Sequence, residues 1–182
     1  MTLYTIMPVD TYEKLLAEKV LINDGSVYDD DDFILKEFVP LYDWMVEQMD
    51  LRGIRRPDGA AYPFWGWYRY SSLMVKPDLR QSGHAPRGTS CVCVELELPE
   101  SSVLLSNFDS WCCILSGYPV LPEEDWDRYY DEFKKLPLEK QHEAKLQTWQ
   151  KIFTEFGDSP IQGVYWKLEL ANVRNVRFFK AK

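Results

Sequence analysis

Thr89-Ser90-Cys91-Val92-Cys93-Val94-Glu95-Leu96-Glu97-Leu98 is the stretch on which the fold turns. Its side chains alternate with a period of two, the signature of a strand with one face in a core. Val92, Val94, Leu96 and Leu98 fall on one face, and Cys91, Cys93, Glu95 and Glu97 on the other. The first face belongs to the core. The second carries two neighbouring carboxylates and meets either a site or water. Residues 161–170 and 173–179 are β-rich and alternate in the same way, separated by Ala171-Asn172. Together the three segments predict a mainly antiparallel sheet, with residues 89–98 beside one of the two closing strands.

Outward from these strands the chain reads as helices and short strands. Residues 3–7 form a brief strand, and Pro8-Val9-Asp10-Thr11 supplies a turn, with Asp10 or Thr11 as helix cap. Asn23-Asp24-Gly25-Ser26 is a turn, and the acidic run at residues 29–32 is a solvated loop that opens a helix. Ile34, Leu35, Phe38, Tyr42, Met45, Val46 and Met49 recur at helical steps, which predicts a helix over residues 33–51, kinked or split at Pro40. Residues 103–105 read as a strand and 108–115 as a short helix. Pro122-Glu123-Glu124-Asp125 starts a helix whose stripe is Trp126, Tyr129, Tyr130 and Phe133. Pro137 breaks it, and a last helix spans residues 138–156. The whole is one α+β domain over residues 1–182: a central, mainly antiparallel sheet flanked by amphipathic helices.

Bulk properties narrow the function. The chain has 182 residues, of which 46% are hydrophobic and 15% aromatic, ample for a core. It has no apolar run of membrane-spanning length, and its first residues lack the layout of a signal peptide, so a cytoplasmic protein with no membrane partner is expected. A net charge of −8 argues against general nucleic-acid binding. Cys91, Cys93, Cys112 and Cys113 do not have zinc-ribbon spacing and read as reduced, small buried hydrophobes with no metal.

The charge is unevenly spread. Residues 52–87 hold seven cations against Asp58 and Asp78, a local +5, which leaves −13 on the rest. Within that stretch lies Tyr62-Pro63-Phe64-Trp65-Gly66-Trp67-Tyr68-Arg69-Tyr70. On a strand, Trp65, Trp67 and Arg69 share one face and Phe64, Gly66, Tyr68 and Tyr70 the other. Cations beside flat rings suit a phosphate-bearing, ring-containing ligand, so Trp65, Trp67, Tyr68, Arg69, Lys76 and Arg80 are candidate ligand-binding residues. Gly66 would let a backbone or ligand approach closely. The bland alternative is core packing on one side, a cation–π latch at Arg69, and salt bridges from the loop arginines to acidic neighbours. No nucleophile elbow, phosphate loop or dinucleotide fingerprint is present. His84 could act as a base beside Cys91 or Cys93.

Several motifs resemble one bacterial family, labelled domain of unknown function 3841. They are Leu3-Tyr4-Thr5-Ile6, Tyr42-Asp43-Trp44-Met45, the aromatic block, Lys76-Pro77-Asp78-Leu79-Arg80, Leu104-Leu105-Ser106-Asn107-Phe108-Asp109 and Ile161-Gln162-Gly163-Val164-Tyr165-Trp166. The family label implies no activity. A second resemblance, to the ADP-ribosyltransferase fold, rests on the strand, helix and apolar return of residues 3–22 and on the closing strands. It implies NAD as a cofactor or substrate, Gln162 at the position that orients the nicotinamide ribose, and Tyr68 as a stacking ring. The pattern wants His or Arg where Thr5 stands. Two function classes follow: a nucleotide-directed enzyme or sensor, and a non-enzymatic interaction, immunity or regulatory protein whose acidic surface meets a basic partner.

Overall fold

The structure is a computed structural model that describes residues 1–26, 37–122, 124 and 126–182. The acidic run at 29–32, the expected helix start at 33, and Glu123 and Asp125 lie outside the described residues. The elements run β1 (Thr2–Pro8), α1 (Val9–Glu18), β2 (Val20–Ile22), α2 (Val39–Leu51), β3 (Phe64–Arg69), β4 (Ser90–Glu97), β5 (Leu104–Asn107), α3 (Phe108–Leu115), α4 (Trp126–Lys134), α5 (Leu138–Trp149), β6 (Ile161–Tyr165), β7 (Lys167–Glu169) and β8 (Val173–Lys180). The α+β class stands. A six-stranded antiparallel sheet has the order β5-β6-β3-β1-β4-β8, and β2 pairs with β7 in a separate two-stranded ribbon.

The alternation of β4 works as read. Val92, Val94 and Leu96 are fully buried on its first face, and β4 lies between β1 and the closing strand β8. That face packs with Leu3, Leu15 of α1, Leu21 of β2 and Leu168 of β7. The opposite face of the sheet packs Leu104 and Val164 against Trp44, Met45 and Met49 of α2, Trp111 of α3 and Trp149 of α5. The cysteines of β4 are buried as well, whereas Cys112 on α3 is exposed, against the expectation for all four.

Three boundaries differ from the sequence reading, and a fourth, at Pro40, follows one of its two alternatives. Residues 161–170 are two strands, because the chain breaks at Trp166, sends β7 to the other sheet, and ties the Trp166 indole to the Ile54 carbonyl at 3.1 Å. At Pro40 the split alternative holds: Glu37 is helical, Phe38 lies in a turn, and Pro40 sits in the first turn of α2, where its missing N–H costs nothing. The last helix ends at Trp149 and tightens into a 3-10 turn, Gln150–Phe153, short of residue 156. The residue before α1 is Pro8, and no side chain caps that helix; Asp10 lies in its first turn.

β1 and β3 are neighbours that share one register pair, Tyr4 with Trp67. Where the ladder stops, the Thr5 hydroxyl donates to the Trp65 carbonyl at 3.2 Å. That uses its one proton, so the Tyr165 hydroxyl donates to Thr5 Oγ1 across 2.7 Å. Gly66 and Gly163 are partners beside this pair. The space at Gly66 is taken by Thr5 and Leu3 of the same chain, so no ligand enters there.

Candidate functional site

The six sequence-predicted residues do not line one cleft. Trp65 stacks on Trp111 with ring centres 5.1 Å apart, and Trp67 stands edge-on to Phe108 at 4.8 Å and to Tyr70 at 5.1 Å. Both indoles are therefore spent on packing against α3 and its approach. Tyr68 emerges on the opposite face, 39% exposed. Arg69 makes no latch with the indoles. Its guanidinium donates to the Ser159 carbonyl at 2.7 and 3.1 Å and to the Gly157 carbonyl at 2.5 Å, pinning the turn that leads into β6. Lys76 donates to Glu95 at 3.2 Å and lies over the Tyr4 ring. Arg80 forms a two-bond fork with Asp78 at 2.8 Å each.

Gln162 does stand beside the aromatic block, as the register partner of Trp67 on β3 and Ser106 on β5. Register also fixes its side of the sheet. Tyr4, Trp67 and Gln162 share one face, and Thr5, one residue on, projects to the other, where it meets Tyr165. The two positions singled out by the ADP-ribosyltransferase resemblance are thus separated by the thickness of the sheet.

Lys76 and Arg80 of the basic loop are both paired with acids of their own chain. The Arg80 fork holds the Asp78 carboxyl at about 2, and Glu95 followed by Tyr4 raises the Lys76 ammonium. His84 bonds to the Asp78 carbonyl at 2.9 Å and leans edge-on to Phe179. Burial pushes the Cys93 thiol up to about 11, which leaves it protonated and unreactive at neutral pH. Among the described residues no group of three or more His, Cys, Asp or Glu is disposed to hold a metal ion. No helix among them is long and apolar enough to cross a membrane.

A cavity of about 440 Å³ opens elsewhere, within the size range of small-ligand sites. Three segments far apart in sequence build it. Gly53, with φ +71°, ends α2 and turns the chain so that Ile54 is buried and Arg55 follows at the rim. After β4, Pro99 leads into a 3-10 turn, Glu100–Ser102, whose Ser101 and Ser102 face the cavity. The third wall is the break between β6 and β7, with Trp166 and Lys167. Glu169 fixes Lys167 at 2.8 Å and Asn172 at 3.1 Å. Arg55 is different. Among the described residues its guanidinium has neither ion pair nor hydrogen bond, while neighbouring Arg56 pairs with Asp50 at 2.6 Å and lies over Trp166. The wall thus combines an uncommitted guanidinium, serine hydroxyls and an apolar floor.

Sequence reasoning counted Arg55 in the basic stretch and quoted Trp166 in a motif, but assigned neither to a site. Ser101, Ser102 and Lys167 gave no signal at all. A smaller opening of about 260 Å³ lies where β1 and β3 part, lined by Thr5, Thr11, Asn23, Phe64 and Trp65.

The model of a family described as Domain of unknown function (DUF3841) matches residues 2–173. The chain belongs to that family. The match takes in all three walls of the 440 Å³ cavity. No curated protein and no solved structure matches the chain.

Proposed function

We propose that this DUF3841 protein is a single cytoplasmic domain that binds a small anionic, ring-bearing ligand of nucleotide size, seated in the 440 Å³ cavity. The observation that carries the reading is Arg55. A guanidinium without a carboxylate partner among the described residues, at the rim of a cavity in a chain of net −8, is placed to receive an anion from outside. Ser101 supplies a hydroxyl, and Leu98 and Trp166 supply an apolar floor for a ring. Four free thiols accord with a reducing compartment. The ADP-ribosyltransferase resemblance keeps NAD among the ligands to test. It supports no transfer chemistry here, because Thr5 and Gln162 lie on opposite faces of the sheet.

The test is a melting-temperature screen with AMP, ADP, NAD and inorganic phosphate at millimolar concentration. At least one nucleotide should raise the transition. Arg55→Ala should weaken its binding by the worth of a charged hydrogen bond, about 1.5–3 kcal/mol. Arg80→Ala should leave binding unchanged, since Arg80 is occupied by Asp78. Silence across the whole panel would overturn the reading. It would favour the second one, a non-enzymatic protein whose acidic surface meets a basic partner, which the −13 outside residues 52–87 supports.

A further inference from the structure

β8 ends the six-stranded sheet, and no strand among the described residues pairs with its outer side. Its inner side is fully held. The Ala181 amide donates to the Thr89 carbonyl at 2.9 Å, the Ala181 carbonyl accepts from Gly88 at 2.9 Å, and Phe179 and Arg177 are the partners of Cys91 and Cys93. Backbone groups alternate in direction along a strand, so Val176, Phe178 and Lys180 turn their amides and carbonyls outward. One outward amide carries a local stopper: Val176 N–H donates to the side-chain oxygen of Asn175 at 2.9 Å. Residues 173–182 contain Arg174, Arg177, Lys180 and Lys182 and no acid, a local +4 that leaves −12 on the rest of the chain. Arg174 is tied to Glu97 at 2.9 Å, and the other three have no ion pair among the described residues. Phe178, 67% exposed, stands on the same strand against the Tyr12 ring.

We propose that the outer side of β8 takes up an extended, acidic segment of a partner protein as a seventh strand. Strand addition needs an open row of amides and carbonyls, and this edge has one. Charge selects the occupant. Arg177 projects from one face of β8 and Phe178 and Lys180 from the other, so an alternating strand would set its carboxylates beside Arg177 and its apolar residues beside the exposed Phe178 ring, with Lys180 adding to the local positive field. A second copy of the chain is the wrong occupant, because β8 beside β8 sets like charges opposite one another.

The probe is a capped eight-residue peptide alternating Glu and Val, compared with its Lys and Val counterpart, read by fluorescence anisotropy on the full chain. The Glu peptide should bind, with affinity that falls as salt rises, and the Lys peptide should not. Hydrogen exchange should slow at Phe178 and Lys180 when the Glu peptide is present. Asn175→Ala, which frees the Val176 amide, should tighten binding by about 2- to 10-fold, the worth of one hydrogen bond. Arg177→Glu combined with Lys180→Glu should exchange the preference for that of the Lys peptide. If that double variant fails to fold, the Asn175→Ala and exchange results decide. Equal binding of both peptides, no binding at millimolar concentration, or unchanged exchange at residues 176–180 would overturn the proposal. So would protection of those amides by protein concentration alone, which would assign the edge to a second copy.

Discussion

At positions 66 and 163 a methyl group has nowhere to go. A Cβ on Gly163 would lie 2.8 Å from both Leu3 Cδ1 and Val103 Cγ1, and one on Gly66 would lie 2.7 Å from Thr5 Oγ1. Gly163→Ala should therefore cost about 1–3 kcal/mol by overpacking, measured by urea unfolding. A loss below about 0.5 kcal/mol would mean that Leu3 can shift aside. Ser106 behaves in the opposite way. Its hydroxyl is completely buried on β5 and has no hydrogen-bond partner among the described residues. Ser106→Ala removes an unsatisfied group, so unfolding free energy should stay level or rise by up to about 1 kcal/mol. A clear loss would reveal that the hydroxyl makes a bond after all. Neither effect could be read from the chain. A glycine amid rings signals a close approach but not who approaches, and at Gly66 the visitors are Thr5 and Leu3, some sixty residues upstream.

At the scale of elements, legibility followed periodicity. β4 alternates cleanly in sequence and forms as expected, and β8 and α3 also form where expected. The stretch from 161 to 170 has no proline, and its one glycine, Gly163, lies inside β6, so nothing local marks the break at Trp166, whose indole bonds a distant carbonyl at Ile54. The cavity walls were hidden for the same reason. Arg55, Ser101 and Lys167 come from three separate connections, and loop neighbours leave no spacing to recognise. Pro40 shows where a local rule has two outcomes: proline ends a helix or begins one. Because it begins α2, Pro40→Ala should cost no more than the about 0.4–1 kcal/mol of chain entropy that a compatible proline confers. Pro40→Ala should also leave the helix content in far-UV circular dichroism unchanged. A gain in helix signal would instead point to a proline that interrupts.

For the whole molecule, the buried acids decide behaviour in alkali. Burial raises the Cys93 thiol to about 11, offset in part by Arg177, and burial raises the Tyr165 phenol. In both cases the fold prefers the protonated form. The unfolded thiol and phenol ionise at 9.0 and 10.0 respectively. Their contribution to stability is complete below pH 9, begins to fall as Cys93 crosses from 9 to 11, and falls further once pH passes 10 and Tyr165 would ionise on unfolding. Each group contributes a slope of up to about 1.4 kcal/mol per pH unit. Melting temperature should decline from pH 9 upward, and Tyr165→Phe should flatten the part above pH 10. A melting temperature constant from pH 9 to 11 contradicts this account.

The single register pair between Tyr4 and Trp67 has a mechanical meaning. It divides the sheet into two three-stranded panels, β5-β6-β3 and β1-β4-β8, each stitched internally by backbone ladders. Between the panels the join is mostly side chain: Leu3 in the slot left by two glycines, and the chain of hydroxyls from Tyr165 through Thr5 to the Trp65 carbonyl. A load applied across the strands would open this seam before it tore any ladder, as plywood parts at the glue and not along the grain.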